Sequence, residues 1–460
     1  MKTDTIAAIA TAMTNSGIGI IRISGDEAVE VADRIIQLKG NKKLTDCKTH
    51  TIHYGFVMDG ESKVDEVMVL LMRGPKSYTR EDTVEIDCHG GILVMNRILD
   101  LVLRNGARPA EPGEFTKRAF LSGRIDLAQA ESVIDVINAK NDFALKASMN
   151  QLNGDVSDEI KRIREEIIHE IAYIESALDD PEHYQMDAYG EALAGKIRPM
   201  KMRICHLLSN AENGAILKEG IHTVIVGKPN SGKSSLLNSL VGKERAIVTD
   251  IAGTTRDVIE EQIRLNGISL NMIDTAGIRT TEDVVEKIGV EKSKEYVENA
   301  DLVIYVVDAS IPLDSDDEKI IEMLQNRNVI ILLNKSDLES VITEEDIRKY
   351  FEDNQKRILS VSAKHKEGID DLESTIEEMF FHGKIQMNDE IYITNTRHKA
   401  LLQEVKNSLV LVEQSIADGM PEDFYSIDLM NAYEALGRII GEAVEDDLVN
   451  EIFSKFCMGK

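Results

Sequence analysis

Apolar residues recur along the chain in two different patterns. In the first 120 residues they form short runs at 18–23, 67–72 and 83–86, which predict strands, and a helix is predicted at 92–103. From about residue 125 they recur every three or four positions, which predicts a long helix with one buried side. We interpret this stripe as the core of a helical bundle rather than as a partner-binding face. Its residues are Val156, Ile160, Ile163, Ile167, Ile171, Ile174 and Leu178.

Between residues 221 and 380 short apolar runs alternate with helical segments. Each run leads into a polar motif, and the runs lie at 223–226, 268–273, 302–307 and 329–333. This alternation predicts a doubly wound parallel sheet, whose ligands bind at the carboxyl ends of the strands. The helical spacing returns after residue 395, at Leu401, Val405, Leu409, Val412 and Ile416. The simplest interpretation is one helical domain interrupted by the sheet domain; two separate helical domains are the alternative.

The first motif of the sheet domain is Gly227-x-x-x-x-Gly232-Lys233-Ser234. It follows a predicted strand and precedes a predicted helix at 235–240, which is the context of a phosphate-binding loop. The glycines let backbone N–H groups approach the phosphates, and the helix N-terminus adds positive partial charge. We expect Lys233 to reach the outer phosphates and Ser234 to bind Mg²⁺. This motif alone does not distinguish ATP from GTP.

The motifs that follow favour guanine. Residues 253–257 (GTTRD) resemble a first switch with Thr255 as a second magnesium ligand, and Asp274 and Gly277 of a DTAG motif are expected near the magnesium and the γ-phosphate. The Asp337 carboxylate of an NKSD motif can accept from guanine N1–H and N2–H, a pair that adenine lacks. The predicted GTP-binding residues are Asn230, Ser231, Gly232, Lys233, Ser234, Ser235, Thr249, Asp250, Ile251, Ala252, Gly253, Thr254, Thr255, Asp274, Thr275, Ala276, Gly277, Asn334, Lys335, Asp337, Ser362, Ala363 and Lys364.

One residue that Ras-like GTPases use is missing. They place a glutamine after D-T-A-G to orient the attacking water, and Ile278 stands there in this chain. Asn230 has a side-chain oxygen that suits a monovalent cation, although it could equally stabilise a turn. Glu286 could reach the water from a rearranged loop, but on chemistry alone a solvated carboxylate is the better interpretation. Hydrolysis therefore needs an arrangement different from that of Ras.

Composition narrows the class of protein. The 460 residues carry a net charge of −28, which disfavours broad coating of nucleic acid without excluding a local RNA site. The four cysteines do not have the spacing of metal ligands and suit a reducing compartment. We see no secretory signal, transit segment or apolar run of 18 residues, and we expect a cytoplasmic protein.

Several further segments are more specific than the nucleotide motifs. They are residues 19–25 (GIIRISG), 89–91 (HGG), 112–130 (PGEFTKRAFLSGRIDLAQA) and 456–460 (FCMGK). Together with the phosphate loop and residues 247–257 (IVTDIAGTTRD), they make the whole chain resemble the MnmE (TrmE) family of bacterial tRNA-modification GTPases. That family belongs to the TrmE-Era-EngA-YihA-Septin-like class.

The resemblance implies a function and a domain organisation. Members of the family dimerise and work with the flavoprotein MnmG (GidA), which supplies FAD chemistry. Together they install an aminomethyl or carboxymethylaminomethyl group on the wobble uridine of tRNA, using a tetrahydrofolate one-carbon donor. The implied fold is a mixed α+β folate-binding and dimerisation domain, a helical domain in two parts and an inserted Ras-like G domain. The domain ranges are 1–120, 121–216 with 383–460, and 217–382.

The resemblance also assigns residues. Potassium replaces an arginine finger when two G domains meet, and its implied ligands are Asn230, Thr249, Ile251 and Thr254. Lys233 and Asn230 take catalytic roles, and Glu286 matches the glutamate that orients water in the family. The implied folate-binding residues are Arg22, Glu85, Arg124 and Lys460. Arg124 stands where relatives often have lysine, so the charge is kept but the hydrogen-bond geometry differs.

Two questions stay open at the level of sequence. Cys457 could act as a nucleophile if its thiol were activated, or it could simply pack in a tail that positions Lys460. An Era-like timer GTPase in ribosome assembly is the alternative function, although such proteins usually carry a basic RNA-binding domain. A dynamin-like structural role is less well supported, because the chain has no basic amphipathic membrane segment.

Overall fold

The computed structural model describes residues 4–40, 42–180, 182–184, 189–241, 261–265, 268–273, 296–351, 356–381, 391–442, 444, 446–457 and 459. The strands are β1 Ile6–Ile9, β2 Gly19–Ser24, β3 Ile36–Leu38, β4 Thr51–Asp59, β5 Ser62–Met72, β6 Thr83–Cys88, β7 Arg108–Pro109, β8 Ile221–Val226, β9 Glu261–Leu265, β10 Ile268–Met272, β11 Leu302–Asp308, β12 Val329–Asn334 and β13 Arg357–Val361. The helices are α1 Ala28–Asp33, α2 Ile92–Arg104, α3 Glu114–Leu121, α4 Leu127–Asn138, α5 Asp142–Asn153, α6 Asp155–Asp179, α7 Tyr189–Glu219, α8 Lys233–Val241, α9 Ser315–Leu324, α10 Glu344–Arg348, α11 Ile369–Phe381, α12 Thr396–Ala417, α13 Glu422–Ile440 and α14 Asp446–Ser454. A short 3₁₀ helix spans Leu44–Asp46.

The chain forms two compact units. The first consists of Met1–Ile137, Asn150–Lys201 and Glu404–Lys460, and the second of Asn138–Met149 and Met202–Gln403. Each unit therefore contains segments that are far apart in sequence. The domain ranges given above remain a prediction.

The first unit contains a seven-stranded sheet with the order β3-β4-β5-β6-β2-β1-β7. Alternate residues point to opposite faces of a strand, so each strand contributes to two surfaces. The inner face is apolar and packs with α1 and α2; it includes Ile21 and Ile86, both fully buried. The outer face carries Arg22 opposite Glu85 in the β2–β6 ladder. Charged side chains thus lie on the face that is turned away from the main core.

The helical part of the first unit is organised by the predicted stripes. Helix α6 packs against α13, and six of the seven predicted stripe residues on α6 are buried or nearly so. The seventh, Leu178, was predicted wrongly because its side chain is 48% exposed. Leu178 lies in the last turn of α6, where the adjacent residue Ala177 is buried instead.

The second unit contains a six-stranded sheet with the order β13-β12-β11-β8-β10-β9. All of its pairings are parallel except that of β9 with β10. Strands β11 and β12 are buried at every position, as expected for parallel strands covered on both faces. The predicted fold class is confirmed: a mixed α+β region, a helical region and a doubly wound sheet are all present.

Candidate functional site

The phosphate loop connects β8 to α8, and its backbone explains its glycines. Gly227 and Gly232 have φ values of 152° and 100°, which side chains rarely tolerate. A Cβ on Gly227 would overlap the carbonyl of Val306, and one on Gly232 would overlap the amide of Asn334. Asn230 also adopts a left-handed φ of 61°, as asparagine does more readily than most residues. The loop therefore passes too close to β11 and to Asn334 for a side chain at either glycine.

Lys233 lies where this loop enters α8, and its ammonium group contacts two neutral oxygens. Its Nζ donates to the carbonyls of Gly227 and Lys228, at 2.7 Å and 2.6 Å. Burial lowers the pKa of Lys233, because the charged ammonium is desolvated. An anionic phosphate at this point would offset that desolvation. Ser234 and Ser235 are exposed in the first turn of α8.

Asn334 links the phosphate loop to two other motifs. It ends β12 and is 2% exposed. Its Nδ2 donates to the carbonyl of Ser231 at 2.7 Å, and its Oδ1 accepts from the backbone N–H of Ala363 at 3.1 Å. One buried side chain therefore holds the loops after β8, β12 and β13 together. Polar residues at neighbouring strand ends converge as expected for a parallel sheet.

Asp337 is held ready to accept hydrogen bonds. The hydroxyl of Ser362 donates to its Oδ1 at 2.7 Å, and this hydrogen bond lowers the pKa of Asp337. His365 Nε2 lies 3.8 Å from the other carboxylate oxygen. Lys335 pairs with Asp308, the last residue of β11, and Lys364 is exposed. An ionised, oriented carboxylate at this edge can accept two N–H groups from a guanine ring.

The other predicted nucleotide and cation residues lie outside the described residues. They are Thr249, Asp250, Ile251, Ala252, Gly253, Thr254, Thr255, Asp274, Thr275, Ala276, Gly277 and Glu286. Among the residues that the structure describes, no group of three or more His, Cys, Asp or Glu side chains could hold a metal ion. Of the predicted magnesium and potassium ligands, Ser234 and Asn230 therefore have a described position.

A second cluster brings together three of the predicted folate residues. Arg22 forms an ion pair of 2.7 Å with Glu85, and its Nη1 donates to the carbonyl of Gly459 at 3.1 Å. The guanidinium group of Arg124 lies 4.7 Å from the ring centre of Tyr78. The guanidinium group of Arg22 lies 6.0 Å from the same ring. Two guanidinium groups thus lie near the ring of Tyr78, an aromatic side chain that sequence reasoning missed, and the Glu85 carboxylate pairs with one of them.

The C-terminal tail contributes to this cluster. Gly459 provides the carbonyl that Arg22 contacts, and the carbonyl of Cys457 accepts from the backbone N–H of Gly113 at 3.4 Å. Cys457 is exposed, and its predicted reactivity stays a prediction. Lys460 lies outside the described residues. The tail therefore joins the sheet to α3 beside the predicted folate residues.

Some contact residues could not be found from sequence alone. Tyr78 follows a proline-containing loop, and Phe115 lies in the first turn of α3. Both rings face Arg22, but nothing in the spacing of these residues indicates it. Asp308 could have been found from sequence, because it follows a buried apolar run as the motif residues do. Its position at a strand end indicates a site residue, although Asp308 belongs to none of the nucleotide motifs.

In the described part of the chain, no helix is long and apolar enough to cross a membrane.

Comparisons with known proteins match nearly the whole chain. A family model described as the N-terminus of the GTP-binding protein TrmE matches residues 5–124, and one described as the MnmE helical domain matches residues 127–457. A Lachnoclostridium phytofermentans protein named tRNA modification GTPase MnmE is 59% identical, with 100% of both chains covered. Proteins of the same name from Clostridioides difficile and Bacillus subtilis are 50% and 47% identical; the alignments cover 99% of this chain and 99% and 100% of theirs.

Among solved structures, the G domain of the T. maritima FeoB iron transporter is 26% identical and covers 34% of this chain and 97% of its own. Its TM-score of 0.26 is too low to support an inference about the fold. The family models and the full-length relatives identify the family of this chain without that structure. The chain belongs to the MnmE (TrmE) family of tRNA modification GTPases.

Proposed function

We propose that this chain is a GTP hydrolase that takes part in modifying the wobble uridine of tRNA. It acts with the flavoprotein MnmG, which supplies FAD, and uses a tetrahydrofolate one-carbon donor. Family membership supports the activity, since the relatives reported above are named tRNA modification GTPases. The single structural observation that carries it is Asn334, which joins the phosphate loop to the predicted guanine loops.

The described residues support binding of two parts of the nucleotide, the phosphates and the base. Lys233 sits in a loop of backbone groups suited to phosphates, and Ser234 at the start of α8 would hold Mg²⁺ together with Thr255. Mg²⁺ there would neutralise charge on the phosphate oxygens. Asp337 would select guanine by accepting from two N–H groups. Lys233 and Ser234 follow β8 and Asp337 follows β12, so these three residues lie at the same edge of the parallel sheet.

We further propose that hydrolysis depends on potassium and on a second copy of the chain. Ile278 cannot orient water, so charge stabilisation must come from elsewhere. Asn230 is exposed on the phosphate loop and offers an amide oxygen, with Thr249, Ile251 and Thr254 as the other ligands. Glu286 would then orient the attacking water. A cation that replaces an arginine finger would contribute up to about 10³–10⁵ in rate.

The experiment compares GTP hydrolysis in potassium and in sodium chloride at equal ionic strength. We expect hydrolysis to be faster in potassium for the natural chain. Asn230→Gly is the sharp variant, because glycine tolerates the observed φ of 61° and removes only the side-chain oxygen. It should keep its affinity for a fluorescent GDP analogue and lose the potassium stimulation. Equal rates in both salts for the natural chain would remove the potassium mechanism.

The first unit supports the folate step of the proposal. Arg22 and Arg124 lie near the ring of Tyr78, and Glu85 pairs with Arg22. A ring-shaped ligand with polar edges fits such a group of charges and aromatic surface. Lys460 would complete the set from the tail. Mass analysis of wobble nucleosides in a deletion strain complemented with this chain tests the substrate. Unmodified uridine after complementation would contradict the tRNA function.

A further inference from the structure

The loop between β3 and β4 carries a concentration of positive charge. Its four lysines lie within ten positions, and Asp46 is the only acidic residue among them. All four lysine side chains are exposed. The chain as a whole has a net charge of −28, so this segment has the opposite sign to the rest of the protein. We call it the lysine loop, defined by Lys39, Lys42, Lys43 and Lys48.

The folded chain does not neutralise the lysine loop. Among the described residues, Lys42, Lys43 and Lys48 have no carboxylate within ion-pair distance. The nearby carboxylate of Asp33 accepts hydrogen bonds from the backbone N–H groups at positions 44 and 45 instead. An exposed ammonium group without a carboxylate keeps its charge toward solvent. These lysines therefore remain available to an external anion.

A second basic segment differs in that respect. Four lysine and arginine residues lie between positions 196 and 203 of α7, with no acidic residue among them. Lys196 pairs with Glu170 at 2.7 Å, and Lys201 pairs with Glu413. These cations connect helices of the first unit, whereas the charges of the lysine loop point to a partner outside the chain.

The lysine loop projects from a corner of the seven-stranded sheet. β3 is an edge strand of this sheet, and it pairs with β4. The backbone N–H of Lys39 donates to the carbonyl of Tyr54 at 3.2 Å, and the Nζ of Lys39 lies 5.7 Å from the centre of the Tyr54 ring. Tyr54 is 42% exposed, and Ile52 is 64% exposed. Aromatic and apolar surface therefore lies beside the positive charges.

We infer that the lysine loop binds the phosphate backbone of RNA. Lysine ammonium groups bind phosphates as point charges without sequence preference, and an exposed aromatic ring can stack on an unpaired base. The lysine loop and Tyr54 combine both features. Because the chain as a whole is acidic and repels a polyanion, RNA must approach it through a local basic surface. The identity of the RNA as tRNA rests on the proposed function.

The triple variant Lys42→Gln/Lys43→Gln/Lys48→Gln tests this surface in the full chain. The probe is an unmodified tRNA transcript with uridine at the wobble position, and fluorescence anisotropy measures its binding over a series of sodium chloride concentrations. We expect the affinity to fall at least about tenfold, and the slope of log affinity against log salt to become shallower by about one per lysine removed. Lys42→Arg/Lys43→Arg/Lys48→Arg should bind like the natural chain, because it keeps the charges. Both variants should keep the unfolding temperature of the natural chain, since the replaced side chains are exposed.

Lys161→Gln/Lys319→Gln/Lys349→Gln is the matched control. Each of these exposed lysines pairs with an aspartate, and the control changes the net charge by the same amount. It should bind the transcript like the natural chain. An equal loss of affinity in the control would mean that net charge alone decides, which overturns the inference. Unchanged affinity and salt slope in the glutamine variant of the lysine loop overturn it as well.

An acidic protein, including a second copy of this chain, is the competing occupant of the lysine loop. Analytical ultracentrifugation of the natural chain and of the glutamine variant distinguishes the two, because a changed oligomeric state with unchanged RNA affinity overturns the inference. If the natural chain does not bind the transcript, the inference also falls. The proposed function is tested separately, since wobble nucleosides in the complemented deletion strain report on it whether or not the lysine loop binds RNA.

Discussion

At the scale of single residues, the carboxylate predicted to bind the nucleotide base has its direction fixed by a hydroxyl. Asp337 accepts from Ser362 at 2.7 Å, which leaves its remaining lone pairs for a ligand. The sequence predicted Asp337 and Ser362 as separate motif residues, because each motif has its own spacing. Their hydrogen bond joins residues 25 positions apart, and no local pattern encodes such a contact.

Asp337→Asn should therefore change base preference. An amide offers one oxygen and one NH₂ group, so it can no longer accept from both guanine N–H groups, but it can donate to the second carbonyl of xanthine. We expect the affinity for GDP to fall about a hundredfold, because the variant loses the strong hydrogen bonds that a charged carboxylate accepts from guanine. We expect the affinity for xanthosine diphosphate (XDP) to rise. Fluorescent analogues of both nucleotides measure this. Ser362→Ala should weaken GDP binding less, and unchanged GDP affinity in Asp337→Asn would exclude Asp337 from base recognition.

At the scale of elements, the sequence predicted those strands and helices whose pattern of apolar residues is set by burial alone. Strands β11 and β12 are apolar throughout because both faces of a parallel sheet are covered, and their runs were visible in sequence. Strands β9 and β13 were missed, because they are short and mix polar with apolar residues. The two-residue strand β7 exists only through its pairing with β1. Tertiary contacts, not local propensity, define such elements.

An ion pair connects the phosphate loop to helix α9. Lys228 Nζ lies 2.6 Å from Asp317, which is 1% exposed and also accepts from the hydroxyl of Tyr305 at 2.9 Å. Asp314, the N-cap of α9, accepts from the same lysine at 2.9 Å. The carbonyl of Lys228 in turn accepts from Lys233. One residue thus ties the loop to a neighbouring helix through its side chain and to Lys233 through its backbone.

Lys228→Met should leave Asp317 charged, buried and without its cation. We expect a loss of about 3 kcal/mol in the free energy of unfolding, because breaking one side of a buried pair is costly. Adding Asp317→Leu should recover part of this loss, since the uncompensated charge is then removed. Urea denaturation of the two single variants and the double variant measures the coupling. Additive losses would show that the pair does not act as a unit.

At the scale of the whole chain, the two candidate sites were predicted unequally. The nucleotide residues lie within about 140 positions of one another, in motifs whose order carries information. The folate residues could be named only through the family resemblance, because Arg22 and Gly459 are 437 positions apart. Their contact depends on how the C-terminal tail returns to the first sheet. A single sequence carries no signal for such a contact, since its physical cause is long-range packing.

Gly459→Ala should test that return of the tail. Gly459 has a φ of 87°, and an added Cβ would overlap the carbonyl oxygen of Ile9 and approach the Cα of Ala10 to 2.8 Å. The tail must then shift, which breaks the hydrogen bond from Arg22 to the Gly459 carbonyl. We expect weaker binding of 5-formyltetrahydrofolate with an unchanged affinity for GDP, because the nucleotide residues belong to the other compact unit.

Gly419→Ala is the matched control: the φ of Gly419 is 64°, and a Cβ there would meet no atom within 4 Å. Gly419→Ala should share any general cost of a left-handed alanine but keep folate binding, so equal folate affinities in both variants would refute a role for the tail.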